Sequence, residues 1–332
     1  MYYDNMQCGV LKETPDKQDF KAGGIIYPDI KLPDKFRIRS DNKFPIKNQF
    51  QRSSCTSQAL TACHEPDENM AMSARFQFVL TKRLEGNKGY GAYLSNSLKV
   101  MQKYGAIPES MLPESEGAVS YEDYLNEDCI VPEMLKVASL HKIGSYWSVN
   151  DSNFKKVLYQ FNKDLPPEKQ KGIYMAIDWW TGFNHPKNGY LPVMKDWGLN
   201  VGGHAIILVG FFEDYYIFRN SWGEGWGDKG YFYSKYLPSW SAYAFKDEKG
   251  FPVENRYGKK YIPSFYLEEK KILFNPWLKN KIHRQPNQIE IIALAIGRHD
   301  YHTVFEGLNG EAWLYWTKED LIKRGFNYKT KK

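Results

Sequence analysis

Arg219-Asn220-Ser221-Trp222-Gly223-Glu224-Gly225-Trp226-Gly227-Asp228-Lys229-Gly230-Tyr231 sets an amide and two indoles among glycines that suit tight turns. Just before it, Tyr215-Tyr216-Ile217-Phe218 reads as a strand. It follows the continuous apolar run His204–Phe212 after a short Glu213-Asp214 turn, the pattern of a hairpin. That run opens in Gly202-Gly203-His204-Ala205. Far upstream stands Asn48-Gln49-Phe50-Gln51-Arg52-Ser53-Ser54-Cys55. A thiol, an imidazole and an amide, in the order Cys55, His204, Asn220, are the parts of a nucleophile with its base and its orienter.

Around these segments the chain has room for a large core. It has 332 residues, 42% hydrophobic and 25% charged, which excludes global disorder. Aromatic residues make up 16%, suited either to a β-rich core or to polymer-binding surface. The formal net charge of +6 is mild and its charges are interspersed, so no nucleic-acid partner is expected. No apolar run is long enough to span a bilayer, and no membrane partner is expected. Residues 1–8 show no basic stretch followed by an apolar one, so no signal peptide is read.

Four cysteines are present: Cys8, Cys55, Cys63 and Cys129. If Cys55 stays a free thiol, the other three cannot all pair. This points to a reducing compartment, the cytoplasm or a virion-associated setting. Cys63 reads as a small buried apolar residue. His299-Asp300-Tyr301-His302 lacks carboxylate support for a metal, and neither metal nor organic cofactor is expected.

Helical patterns come first along the chain. One starts after Ser54, another spans about 73–84, a third about 93–104 with Gly105 as its stop, and a fourth about 150–163, capped by Asn150 or Asp151. Strand patterns follow at 172–178, 204–212, 215–220 and 230–233. Helices first and strands second describe an α+β body in two halves. Residues 289–296 and 311–316 read as further strands, with a short helix from Thr317 to about Gly325.

The chemistry needs particular placements. A thiol becomes a strong nucleophile when a helix N-terminus and an imidazole favour the thiolate. Cys55 begins the first helix, and His204 would complete an imidazolium–thiolate pair. Asn220 would accept the other N–H of that ring. Gln49 can set its amide NH2 beside the backbone N–H of Cys55 as an oxyanion hole. Taken singly, a helical Cys, a His in a Gly-rich turn and an Asn-Ser-Trp-Gly turn are ordinary structural features. Their combination, in this order, is what carries the reading.

These segments resemble the papain-like (C1) cysteine peptidases. Phe44-Pro45-Ile46-Lys47-Asn48-Gln49 is similar to the segment that ends in the family's oxyanion-hole glutamine. Ser53-Ser54-Cys55 is similar to its nucleophile segment, Gly203-His204-Ala205 to its histidine segment, and Asn220–Tyr231 to its asparagine segment. The spacing from Cys55 to His204 lies at the top of the family's window of roughly 130–150 residues. The resemblance implies Cys55, His204, Asn220 and Gln49 as catalytic, with Trp222 shielding the His–Asn contact. It also implies Gly91, Tyr90 and Gly203 near the substrate. It covers about residues 30–236 and implies an α+β, two-lobed papain-like fold, a helical left lobe against an antiparallel β right lobe. A small C-terminal α/β extension would follow.

The implied organisation is an extended arm (1–31), a peptidase domain (32–236), an aromatic and proline-rich connecting region (237–288) and a small module (289–332). Trp313, Tyr315 and Trp316 lie in that module, which is expected to position substrate or bind a partner protein. The implied substrate is a polypeptide or a peptide-containing polymer such as a cell-wall peptide. The same triad would also serve a transpeptidase, and the fold could persist as a non-catalytic binding component. Three departures stand out. Arg52 occupies a position where the family usually has a disulfide cysteine. Thr56 replaces the usual aromatic after the nucleophile. The arm is far shorter than the family's inhibitory propeptide, and it is expected to lie over the cleft.

Overall fold

A computed structural model describes residues 8–13, 30–114, 120–236 and 239–247, all within one unit, Met1–Gly250. The small module at 289–332 and its aromatic residues lie outside the described residues.

The helical half is built around α1 (Cys55–Glu68), nearly all of which is buried. Its sequence is not strongly apolar, so its polar side chains must find partners inside the protein. Thr61 Oγ1 donates to the Ser57 carbonyl, and Glu65 Oε1 accepts from the Met72 amide and pairs with Lys47 at 2.8 Å. His141 Nδ1 lies 2.6 Å from Glu68 Oε2, and Cys63 Sγ donates to the Gly172 carbonyl. Two amphipathic helices flank α1: α2 (Ala74–Glu85), whose N-cap Ser73 accepts from the Phe76 amide, and α3 (Leu94–Lys103). Phe76, Leu80, Val100, Ile107 and Ala138 form a second apolar cluster on this side, with α4 (Tyr121–Tyr124) and α5 (Pro132–Ala138) completing the half.

The other half is one antiparallel sheet. Its strands are β2 (Ile143–Ser148), β3 (Ile173–Trp180), β4 (Asn200–Phe212), β5 (Tyr215–Arg219), β6 (Tyr231–Ser234) and β7 (Ser239–Asp247), in the order β2-β7-β3-β4-β5-β6. A short β1 (Lys35–Arg37) pairs with β4. The helix α6 (Phe154–Asn162) packs Phe154, Val157 and Leu158 onto the core. Trp179, Trp222 and Trp226 are fully buried, and each contributes about 4–6 kcal/mol of transfer free energy.

The expected α+β, two-halved architecture is present. The β4–β5 hairpin falls where the apolar runs put it, although β4 begins four residues earlier, at Asn200. Three differences are informative. The fourth helix begins at Phe154, because Asp151–Asn153 forms a separate 3-10 turn ahead of it. β2 escapes a pattern search because its residues after Ile143 are all half-buried, with no alternation. The expected domain end at residue 236 falls inside the sheet: β7 lies in the supposed connecting region, yet it pairs with both β2 and β3.

Candidate active site

Cys55 is the first residue of α1 and is fully buried. The helix N-terminus favours a thiolate there. Burial acts the other way and pushes the thiol up to about 11, although the amides of Ala205, Gly9 and Thr56 lie against the sulfur and oppose that shift. One of those amides belongs to the residue after His204. The start of β4 therefore lies beside the start of α1.

The hairpin explains how His204 meets Asn220. β4 and β5 pair antiparallel from Ile207↔Arg219 outward, so residues just beyond that pair on each strand share one end of the ladder. His204 Nε2 lies 2.7 Å from Asn220 Oδ1. The Ser221 amide donates to the same oxygen at 2.8 Å, which fixes the orientation of the Asn220 side chain. An acceptor oxygen facing Nε2 requires the proton on Nε2. This leaves Nδ1 with a free lone pair, and Nδ1 is buried with no hydrogen-bond partner. Burial lowers the imidazole to about 4, against the opposing effect of the Asn220 bond.

Indoles keep water from this contact. The Trp222 ring lies 5.1 Å from the His204 ring, and Trp179 meets it edge-on at 4.7 Å. Asn184 anchors two of the indoles, taking Trp179 Nε1–H on Oδ1 and Trp226 Nε1–H on its carbonyl. Gln49 is buried as well. Its Oε1 accepts from Ser221 Oγ at 2.8 Å, and its Nε2 donates to the Arg52 carbonyl at 2.7 Å. Ser221 thus joins Gln49 to the Asn220 segment.

Burial works against the expected imidazolium–thiolate pair, since it raises the thiol and lowers the imidazole. His204 is packed against Trp179 and Trp222, and Cys55 is reached by the Gly9 amide of the N-terminal arm. Val10 donates to the Gly203 carbonyl at 2.9 Å. Leu11 donates to the Ala92 carbonyl at 3.0 Å, and the Ala92 amide donates back to Gly9 at 2.8 Å. Glu13 caps the start of α3 by accepting from the Ser95 amide, and Lys12 pairs with Asp178 at 3.2 Å. The arm fits only because Gly9 lacks a side chain: a Cβ there would stand 2.1 Å from the Ser53 carbonyl oxygen. Gly91 faces it, at φ +78°, where a Cβ would meet the Gly9 carbonyl at 2.7 Å.

Of the expected substrate-side residues, Gly203 and Gly91 line this path. Tyr90 is exposed and stacks on Tyr121 at 4.7 Å. The backbone that pairs with the arm on the α2–α3 side is that of Ala92 rather than Gly91. Ala92, Ser221 and Trp179 went unread in the sequence, because each acts through backbone geometry or through strands distant along the chain. All four cysteines are free thiols. Among the described residues no His/Cys/Asp/Glu group could hold a metal ion, and no helix is long and apolar enough to cross a membrane.

Similarity to known proteins shows the family of the chain. The papain family cysteine protease pattern matches residues 32–239. A cathepsin L-like proteinase of Fasciola hepatica is 25% identical over 244 residues, covering 70% of this chain and 69% of that protein. A peptidase C1-like protein of Acanthamoeba polyphaga mimivirus is 23% identical, over 69% of this chain and 81% of its own. Among solved structures, xylellain, a cysteine protease from Xylella fastidiosa, superposes with a TM-score of 0.60 at 21% identity. That match covers 73% of this chain and 96% of xylellain. The chain belongs to the papain family of cysteine proteases, and it is a cysteine-type peptidase.

Proposed function

We propose that Cys55, His204, Asn220 and Gln49 carry out peptide-bond hydrolysis through an acyl-enzyme thioester. The observation that carries this reading is the buried 2.7 Å contact between His204 Nε2 and Asn220 Oδ1, which leaves Nδ1 as the free base, while the amide of the next residue, Ala205, lies against the Cys55 sulfur. In the proposed sequence the Cys55 thiol gives its proton to His204 Nδ1 and the sulfur attacks a peptide carbonyl. The backbone N–H of Cys55 and the Gln49 amide stabilise the oxyanion. The imidazolium protonates the leaving amine, and His204 then activates water to release the acid and restore the thiol. The substrate is an extended polypeptide or a peptide-containing polymer, whose backbone would take the hydrogen bonds that Ala92 and Gly203 now make with the arm.

A substrate can enter only when residues 8–13 leave, so the arm lowers activity while it is seated. The acyl-enzyme also permits capture by an amine, and product mass decides between the two fates. Digestion of a peptide library should give fragments that differ from the parent by the addition of water. Products carrying a second peptide joined at the cleaved carbonyl would make the chain a transpeptidase, and uncut peptides would leave it a binding component.

A further inference from the structure

Arg52 lies three residues before Cys55, with its side chain 7% exposed. Its Nη1 lies 3.4 Å from Oε1 of Glu114, a carboxylate that is itself 15% exposed. The other carboxylate oxygen, Oε2, accepts from Gln58 Nε2 at 2.8 Å and from the Tyr124 hydroxyl at 2.9 Å. The guanidinium also lies over the Tyr124 ring, 4.7 Å from its centroid. A single carboxylate therefore grips the chain on both sides of the nucleophile, at Arg52 before it and at Gln58 after it.

The backbone of Arg52 holds Gln49 in turn. Gln49 Nε2 donates to the Arg52 carbonyl, and the Arg52 amide donates to the Gln49 carbonyl at 3.1 Å. Rotation or drift of Arg52 would thus move the amide that faces the oxyanion. A buried ion pair is a poor device for stability alone, since apolar side chains of similar volume do that work as well or better. Its directional contacts can do what apolar packing cannot, which is to fix one geometry of a short turn.

We propose that the Arg52–Glu114 pair is a positioning unit for the oxyanion-stabilising turn, residues 49–55, serving as a non-covalent cross-link between that turn and the segment carrying Glu114. This rests on the reading of Gln49 and Cys55 given above. Neither member of the pair touches substrate. Their effect is expected in kcat, because the oxyanion forms only after substrate is bound.

The test compares the full-length chain with Glu114→Gln and with the double variant Arg52→Met/Glu114→Leu, which removes both charges and leaves neither unpaired. Three quantities are read: kcat and KM on a fluorogenic peptide, the rate of Cys55 alkylation by iodoacetamide, and the melting temperature. Alkylation uses the same thiol and forms no oxyanion. The proposal expects kcat to fall about tenfold or more in both variants, with KM and the alkylation rate within about twofold of the unaltered chain. A kcat within twofold in a folded variant overturns it. So does a parallel fall in kcat and alkylation, or loss of the folded state in both variants, since each makes the pair structural only. An unaltered chain that is alkylated yet cleaves no peptide refutes instead the reading of the site on which this proposal stands.

Discussion

Cys55→Ala abolishes peptide cleavage, with kcat/KM reduced by roughly four orders of magnitude, the scale on which losing a member of such a triad acts. The fold survives the change. Alanine removes one sulfur atom from a closely packed position and takes away the acceptor against which the Ala205, Gly9 and Thr56 amides lie, a loss of about 1–3 kcal/mol. Circular dichroism and the melting temperature check the fold, and fluorogenic-peptide turnover checks the chemistry. Cleavage by the alanine variant at even a tenth of the original rate would place the nucleophile elsewhere.

The second large effect concerns the arm. Deletion of residues 1–31 should raise kcat/KM by roughly one to two orders of magnitude. Three backbone hydrogen bonds hold Gly9, Val10 and Leu11 in place, each with a net contribution of about 0.5–1.5 kcal/mol. Gly9→Val gives an independent route to the same result, because its side chain would collide with the Ser53 carbonyl while the arm stays attached. Unchanged rates in both variants would show that the arm leaves the cleft at no energetic cost.

The sign of the pH dependence follows from His204. Burial depresses its pKa from 6.5 to about 4, so the folded protein has a contribution to stability that is present above pH 6.5. That contribution is lost as pH falls toward 4. The melting temperature should therefore fall as pH drops through this window, and less so in His204→Gln. An equal pH dependence in the two chains would contradict the account.

What could be read from the sequence was the part written in local pattern. The apolar run of β4, the short turn after it and the start of α1 beyond Ser54 are contiguous signals, and they place His204 and Cys55 on their elements and Asn220 one residue past the end of β5. The contacts that hold the site together were not legible, because they form only through the fold. Gln49 reaches Ser221 across most of the chain, and Glu114 reaches Arg52 across three helices. The arm was expected over the cleft, yet nothing local shows that Gly9 faces Gly91 or that Ala92 supplies the hydrogen bonds. The depth of burial of Cys55 and His204 was not legible either: helix position and pairing favour the ion pair, and burial opposes it.

The central claim is a covalent acyl group on Cys55, and intact-protein mass spectrometry during turnover of a slowly deacylating peptide ester tests it most directly. The account predicts a mass increase equal to the acyl portion, mapped to the peptide containing Cys55 and absent from the alanine variant. Turnover of the ester with no adduct on Cys55, or with the adduct on another residue, would contradict it.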